Sequence, residues 1–377
     1  MATDVTAIQS KRMTSETSRG RVLHDPRRAQ KRWIALIRWV VSPTAALLVS
    51  CTCQRGGPAP APDASAQVRS VAPPPNPVPA GPLVEELATS QIVLFPPYKK
   101  PLRSGLVDAV AGVAAREWPA LRLEKPETAS QAVPAVVVAP FDSPGLPKAE
   151  ISRAGHSLSA IDEVDLQRKS RAAILEFRFA GGQALRDLPR AQQLALSVAA
   201  ELGATVILDG DSREYFSLGA WKAERVDSWS EGLPAIPRQI AILQGPEAKA
   251  GLFRSVTYGM IKFGLPDVVV SHVVEGTDAR GLGSLTNLVC ATLVQRPALD
   301  QEGLLDVDVE AIREPALRAA LHGFIKGGRG KSTVRLSVTA AQPGDPENRL
   351  IEIAFPTPAG GSTQQAQEAL LSELFGG

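Results

Sequence analysis

The sequence predicts an α+β fold in two α/β sandwich-like modules, residues 83–232 and 233–377, on three observations. The first module holds two strand–helix–strand units. The second reads as three strands separated by turn residues, then helices, then a hairpin. About 290 residues follow a Pro-rich stretch, enough for one large domain or two smaller ones.

The elements follow in order. "QIVLF", residues 91–95, predicts a strand. Leu106, Val107, Val110, Val113 and Ala114 make one helical face over 103–117. Trp118-Pro119 ends it, because the residue before proline is disfavoured in helix. "LRLE" (121–124) and "AVVVA" (135–139) are short strands. Residues 141–170 show no clear pattern. A structureless loop of that length is uncommon in a compact domain, so an element is expected there. "AAILEFRF" (172–179) is strand-like, and Gly181-Gly182 breaks it. Pro189 suits a first helical turn. Ala191, Leu194, Ala195, Val198 and Leu202 then form an apolar face through 190–202, with Gly203 just past its end. "ATVILD" (204–209) is the next strand, and the order β-α-β-β-α-β fits a ferredoxin-like split βαβ. "EYFSLGAWKAERVDSW" (214–229) is expected to turn and then form a short helix carrying Trp221.

In the second module "RQIAILQ", "LFRSVTYGMIKFG" and "PDVVVSHVV" predict three strands. Helices are expected near 279–295 and 307–324. "STVRLSVTA" and "RLIEIAF" flank "AQPGDPEN", a Pro/Gly/Asp/Asn cluster that reads as a hairpin connection. A last helix is expected near 363–375. No internal repeat is visible.

Ahead of these modules the chain is organised differently. Trp39 to Ser50 is an apolar run bounded by Arg38, the pattern of a secretory leader, and the basic n-region and leader together occupy residues 1–50. Leu48-Val49-Ser50-Cys51 resembles the lipobox of bacterial lipoproteins. That resemblance implies lipidation of Cys51 and cleavage between Ser50 and Cys51. A membrane-spanning helix needs about 20 apolar residues. Extending the run back to Trp33 reaches that length only by taking in Arg38 and Pro43. Residues 51–82 carry Cys51 and a Pro/Ala-rich linker, which cannot bury enough surface to offset its ordering entropy. The apolar run begins far into the chain. Met13 offers a later start, and a cytoplasmic extension is the other reading.

Composition narrows the class. Residues 1–50 hold nine Lys or Arg and three Asp or Glu; the remaining 32 and 36 of the chain's 41 and 39 give a net of −4. The basic balance therefore belongs to the leader, and the remainder argues against nucleic acid as a partner. Three cysteines make no disulfide framework, and Cys290 in "SLTNLVCATLV" reads as a small buried hydrophobe. His24, His156, His272 and His322 are scattered, and no Cys or His pair has zinc-ligand spacing.

"LGATVILDGDSREYFSLGAWKAERVDSW", "TYGMIKFGLPDVVV" and "ENRLIEIAFPTPAG…QQAQEALLSELFG" together resemble a bacterial domain family of unknown function, from about Ala172 onward. The resemblance brings no activity and no catalytic residue.

Motifs for chemistry are weak. In "GGRGKST" (327–333) a phosphate loop would need glycine at residue 325, which is Ile325, and a strand before it rather than a helix. "DGDSRE" places Asp209 and Asp211 after a strand end, where ligands bind in open α/β sheets. As a calcium loop it fails, because Ala220 stands where Glu is required. "KFGLPD", with Lys262 and Asp267, reads as a strand connection. G-x-S-x-G, S-x-x-K and H-E-x-x-H are not found.

The expectation is a lipid-anchored cell-envelope protein with a non-catalytic binding or scaffolding module. Its partners would be the membrane, through the anchor, and an envelope protein; no cofactor, metal or catalytic residue is assigned. Thr52 after the lipidated cysteine leans toward the outer membrane. The alternative is an envelope hydrolase with a site lined by Asp209, Asp211 and the Gly181-Gly182 loop. A third reading is a cytoplasmic protein whose apolar run is a signal anchor or a misplaced start.

Overall fold

Alternation along the apolar runs builds an α+β fold on two sheets. The computed structural model describes residues 86–96, 105–124, 133–143, 145–247, 249–297, 303–355 and 361–376. The leader, the Ser50–Cys51 bond, Cys51 itself and the Pro/Ala-rich linker fall outside the described residues.

Strands β1 (Glu86–Leu94), β2 (Arg122–Glu124), β3 (Ala135–Ser143), β4 (Gly155–His156), β5 (Ser170–Ala180), β6 (Val206–Asp209) and β7 (Glu214–Ser217) form a seven-stranded sheet in the order β2-β3-β5-β1-β6-β7-β4. β1 runs antiparallel to both β5 and β6, and β3 antiparallel to β5. The crossover from β5 to β6 through helix Ala184–Leu202 therefore spans the intervening β1. Along β5, Leu175, Phe177 and Phe179 point to one face and Ile174 to the other, and all four are buried. Helices Leu106–Glu117 and Ala184–Leu202 contact each other and cover the first of these faces, over Val93, Val136 and Phe177.

A two-residue hairpin, β8 (Trp229–Ser230) with β9 (Leu233–Pro234), precedes the second sheet. That sheet has six strands: β10 (Ala241–Pro246), β11 (Leu252–Tyr258), β12 (Asp267–Val274), β13 (Leu304–Asp308), β14 (Lys331–Val338) and β15 (Leu350–Ala354). Their order is β10-β11-β12-β15-β14-β13, with β12 and β15 parallel and every other neighbouring pair antiparallel. Helices Ala279–Gln295 and Thr363–Phe375 pack against β12 and each other, over Val268, Val270 and Leu336. Cys290, on the first of these helices, is buried, and burial pushes its thiol well above the usual range. One hydrophobic cluster runs from Phe177 of β5 to Val268 of β12 and on to Phe375.

Five stretches differ from the sequence expectation, one of them the strand expected over "LFRSVTYGMIKFG", which ends at Tyr258 and gives way to the 3-10 turn Met260–Phe263. Residues 141–170 hold two short helices, Lys148–Ala154 and Ala160–Leu166, with β4 between them. Ser159 and Asp162 cap the second helix reciprocally, a signature visible in the sequence. The helix expected from 190 starts at Ala184, because Ala184 and Leu188 continue the apolar face back from Ala191. Pro189 thus sits inside the helix and offers no N–H to the carbonyl of Leu185. Residues 214–217 are strand β7 before the short helix Leu218–Trp221 begins. The helix expected over 307–324 is confined to Pro315–Phe324. Leu305 and Val307 point inward while Asp306 points out, a period of two that makes β13 a strand.

Candidate functional site: a buried ion cluster between the sheets

Asp209 closes β6 and is paired with Gln91 of β1 and Glu214 of β7. Directly paired residues project to the same side of a sheet, so three polar side chains meet there. The chain then turns tightly at Gly210, whose N–H donates to the carbonyl of Ser90 at 2.8 Å. A Cβ on Gly210 would stand 2.9 Å from that same oxygen, so only glycine allows the approach. Asp209 Oδ1 accepts the backbone N–H groups of Asp211 (3.2 Å) and Ser212 (3.3 Å), which orients the carboxylate.

Two cations meet the other oxygen. Lys262 Nζ donates to Asp209 Oδ2 at 2.7 Å and Arg225 Nε at 2.8 Å. Arg225 follows the short helix Leu218–Trp221 on a π-helical turn, Lys222–Val226, closed by the N–H of Asp227 on the carbonyl of Lys222. Its guanidinium also reaches Ser212 Oγ (2.9 Å), Glu214 Oε2 (2.7 Å) and the carbonyl of Arg238, and it lies over the Phe216 ring. Lys262 comes from the second half, on the 3-10 turn Met260–Phe263, and donates to the carbonyl of Gln239 as well. Glu214 extends the chain of contacts outward to half-exposed His156, at 2.9 Å from Nε2, whose ring stacks on Phe216.

Around the charges runs a second polar layer. Gln192, from helix Ala184–Leu202, donates to Gln239 Oε1 at 2.7 Å and accepts from Trp229 Nε1 at 3.0 Å. Its backbone carbonyl accepts from Trp221 Nε1. Gln239 Nε2 bonds the carbonyl of Arg225 and Ser228 Oγ.

The four charged groups balance: two carboxylates face two cations. Asp209, Arg225 and Lys262 are each at most 2 % exposed. Burial opposes ionisation of Asp209, but Lys262 and Arg225 outweigh it and hold the carboxyl well below its usual range. Burial pulls the Lys262 ammonium down, with Asp209 opposing. Glu214 is also lowered: burial works against its charge, and His156 and Arg225 overcome it. Each charge already has its counter-charge inside the protein.

Of the residues that the hydrolase expectation joined, the fold brings Asp209 and Asp211 together and keeps Gly181-Gly182 apart. Asp211 does lie beside the cluster, accepting from Thr89 Oγ1 of β1. Gly181-Gly182 does not, because Ala180 pairs with Glu86 whereas Asp209 pairs with Gln91, on the opposite side of β1. Five residues along the strand and two strand spacings across put them roughly 19 Å apart. The two glycines form a 3-10 turn that opens directly into helix Ala184–Leu202, whose first turn carries Asp187 clasped by Arg186. "GGRGKST" is a capping loop. The N–H groups of Lys326, Arg329 and Gly330 donate to the carbonyls of Phe375, Glu373 and Leu374, closing the C-terminal end of helix Thr363–Phe375. Among the described residues no group of three or more His, Cys, Asp or Glu side chains is placed to hold a metal ion, and no helix is long and apolar enough to cross a membrane.

Sequence spacing singles out Asp209, Asp211 and Lys262 but not Arg225, Glu214, Gln239 or Gln192. A signal did exist for Lys262, the lone charge in "YGMIKFGLP". A lysine with apolar neighbours on both sides and a glycine on each flank has few ways to reach solvent. No family model matches the chain, and neither curated proteins nor solved structures give a match.

Proposed function

We propose that the chain is a lipid-anchored cell-envelope protein whose α+β part is a non-catalytic binding or scaffolding module. The observation that carries this reading is Leu48-Val49-Ser50-Cys51 at the end of an apolar run, followed at once by the Pro/Ala-rich linker. Leader, cysteine and spacer in that order suit a domain tethered off a membrane. The linker's prolines favour an extended, semi-rigid spacer. The ion cluster supports the non-catalytic half of the reading, since its carboxylates and cations neutralise one another and Asp209, Arg225 and Lys262 are buried. The strand order β6-β1-β5-β3 supports a ferredoxin-like split βαβ at the centre of the first sheet. The membrane is the first partner, through Cys51, and Thr52 favours the outer membrane; an envelope protein is the second. The net charge of −4 beyond residue 50 speaks against nucleic acid.

The test is mass spectrometry of the N-terminal peptide from protein purified out of native membranes. A diacylated or triacylated Cys51 is expected. An intact leader with a free Cys51 thiol would overturn the proposal. In parallel, Cys51→Ala is expected to move the protein to a soluble fraction.

A further inference from the structure

The boundary that the sequence suggests, at residues 232–233, divides the topology cleanly: every strand of the first sheet precedes it and every strand of the second follows it. The chemistry ignores it. Asp209 belongs to the first sheet and its lysine to the second. Gln192 of the first half is bonded to Gln239 of the second. Arg225 and Trp229 lie on the stretch leading out of the first sheet, and Trp229 packs against Phe263 of the second half with ring centroids 6.5 Å apart. The 3-10 turn Met260–Phe263 rests on β1 and on helix Ala184–Leu202. The hydrophobic cluster continues across the same junction through Trp221, Ile236, Ile240 and Met260, all buried.

From this interlocking we infer that the two sheets are a single cooperative unit and cannot open one at a time. Opening the second half withdraws Lys262 and Gln239, so Asp209 loses one of its two cations, Gln192 loses its amide partner and Arg225 loses the carbonyl of Arg238. Opening the first withdraws Asp209 from Lys262, an ammonium with no exposed surface. Breaking one side of a buried charged pair is strongly unfavourable, and a protein of ordinary stability has little left after that loss. The division at 232–233 is therefore one of chain path, with no separate stability on either side of it.

Native-state hydrogen exchange, read by mass spectrometry on the full-length chain in detergent under conditions that report opening equilibria, tests this. Peptides covering β5 and β15 are expected to converge on one opening with the same denaturant dependence. Val307→Ala trims a buried side chain on β13, the edge strand of the second sheet farthest in strand order from β10. It is expected to speed exchange ~10-fold in both peptides, β5 included. Lys262→Met is expected to speed both by ~100-fold. Different denaturant slopes for β5 and β15, or a Val307→Ala effect confined to the second sheet, would overturn the inference. If Lys262→Met does not fold, the wild-type slopes and Val307→Ala still decide.

Discussion

Asp209 and Asp267 are both fully buried, yet they titrate in opposite directions. Asp209 has Lys262 and Arg225 in contact. Asp267, at the start of β12, instead accepts from Thr257 Oγ1 (3.0 Å), the N–H of Met260 (3.1 Å) and Asn348 Nδ2 (2.8 Å). These are dipoles, and burial prevails over them, pushing the carboxyl from 3.8 up to about 7. A depressed native pKa stabilises the fold above the ordinary carboxylate value and loses that contribution as pH falls below it. A raised one stabilises below the ordinary value and loses its contribution as pH rises through the native pKa. For these two groups, stability should fall below pH ~4 through Asp209 and decline between pH ~4 and ~7 through Asp267, the latter by up to about 4 kcal/mol. Denaturant midpoints measured across pH 3–9 check both limbs. Asp267→Asn should flatten the decline between pH ~4 and ~7. Asp209→Asn should cost about 3–5 kcal/mol at neutral pH, because two buried cations lose their shared carboxylate.

Most long elements were legible in the sequence, because their periodicity extends over several turns or a whole strand. Helices near 103–117, 279–295 and 363–375 and the strands around 91–95 and 172–179 stand within a few residues of expectation. The helices of 148–166 are only seven residues each, too short for a face to repeat. β13 was obscured because its inward Leu305 and Val307 run straight on into Val309 and Ile312, so its period of two merges with the apolar spacing that follows. The ion cluster was not legible as a unit, since its charged members come from segments separated by up to 53 residues and Lys262 joins the others only through the packing of one half on the other. The glycine-rich loop allows a test at this scale. A Cβ on Gly328 would overlap the backbone of Leu374, Phe375 and Gly376. Gly328→Ala should therefore cost about 1–3 kcal/mol and speed proteolysis within 363–375. Lys331→Ala removes an exposed charge and should change stability by no more than about 0.5 kcal/mol.

For the whole molecule, the proposed anchor and the inferred cooperativity have a joint consequence. A partner that binds either sheet selectively in its native form stabilises both, because linkage acts on the unit that opens. A thermal scan of the full-length chain in detergent should accordingly show one transition, and an added partner should raise it without splitting it. The π-helical turn Lys222–Val226 has a different kind of consequence. It holds one residue more than an α-helical path of the same length, and successive residues on a helix are rotated by about 100°. Deleting any one residue between Lys222 and Arg225 would swing the guanidinium away from Asp209 while leaving every member of the cluster in the sequence. The cluster is thus encoded by spacing as much as by residue identity. In an alignment, a one-residue gap in this turn would signal its loss even where Arg225 is kept.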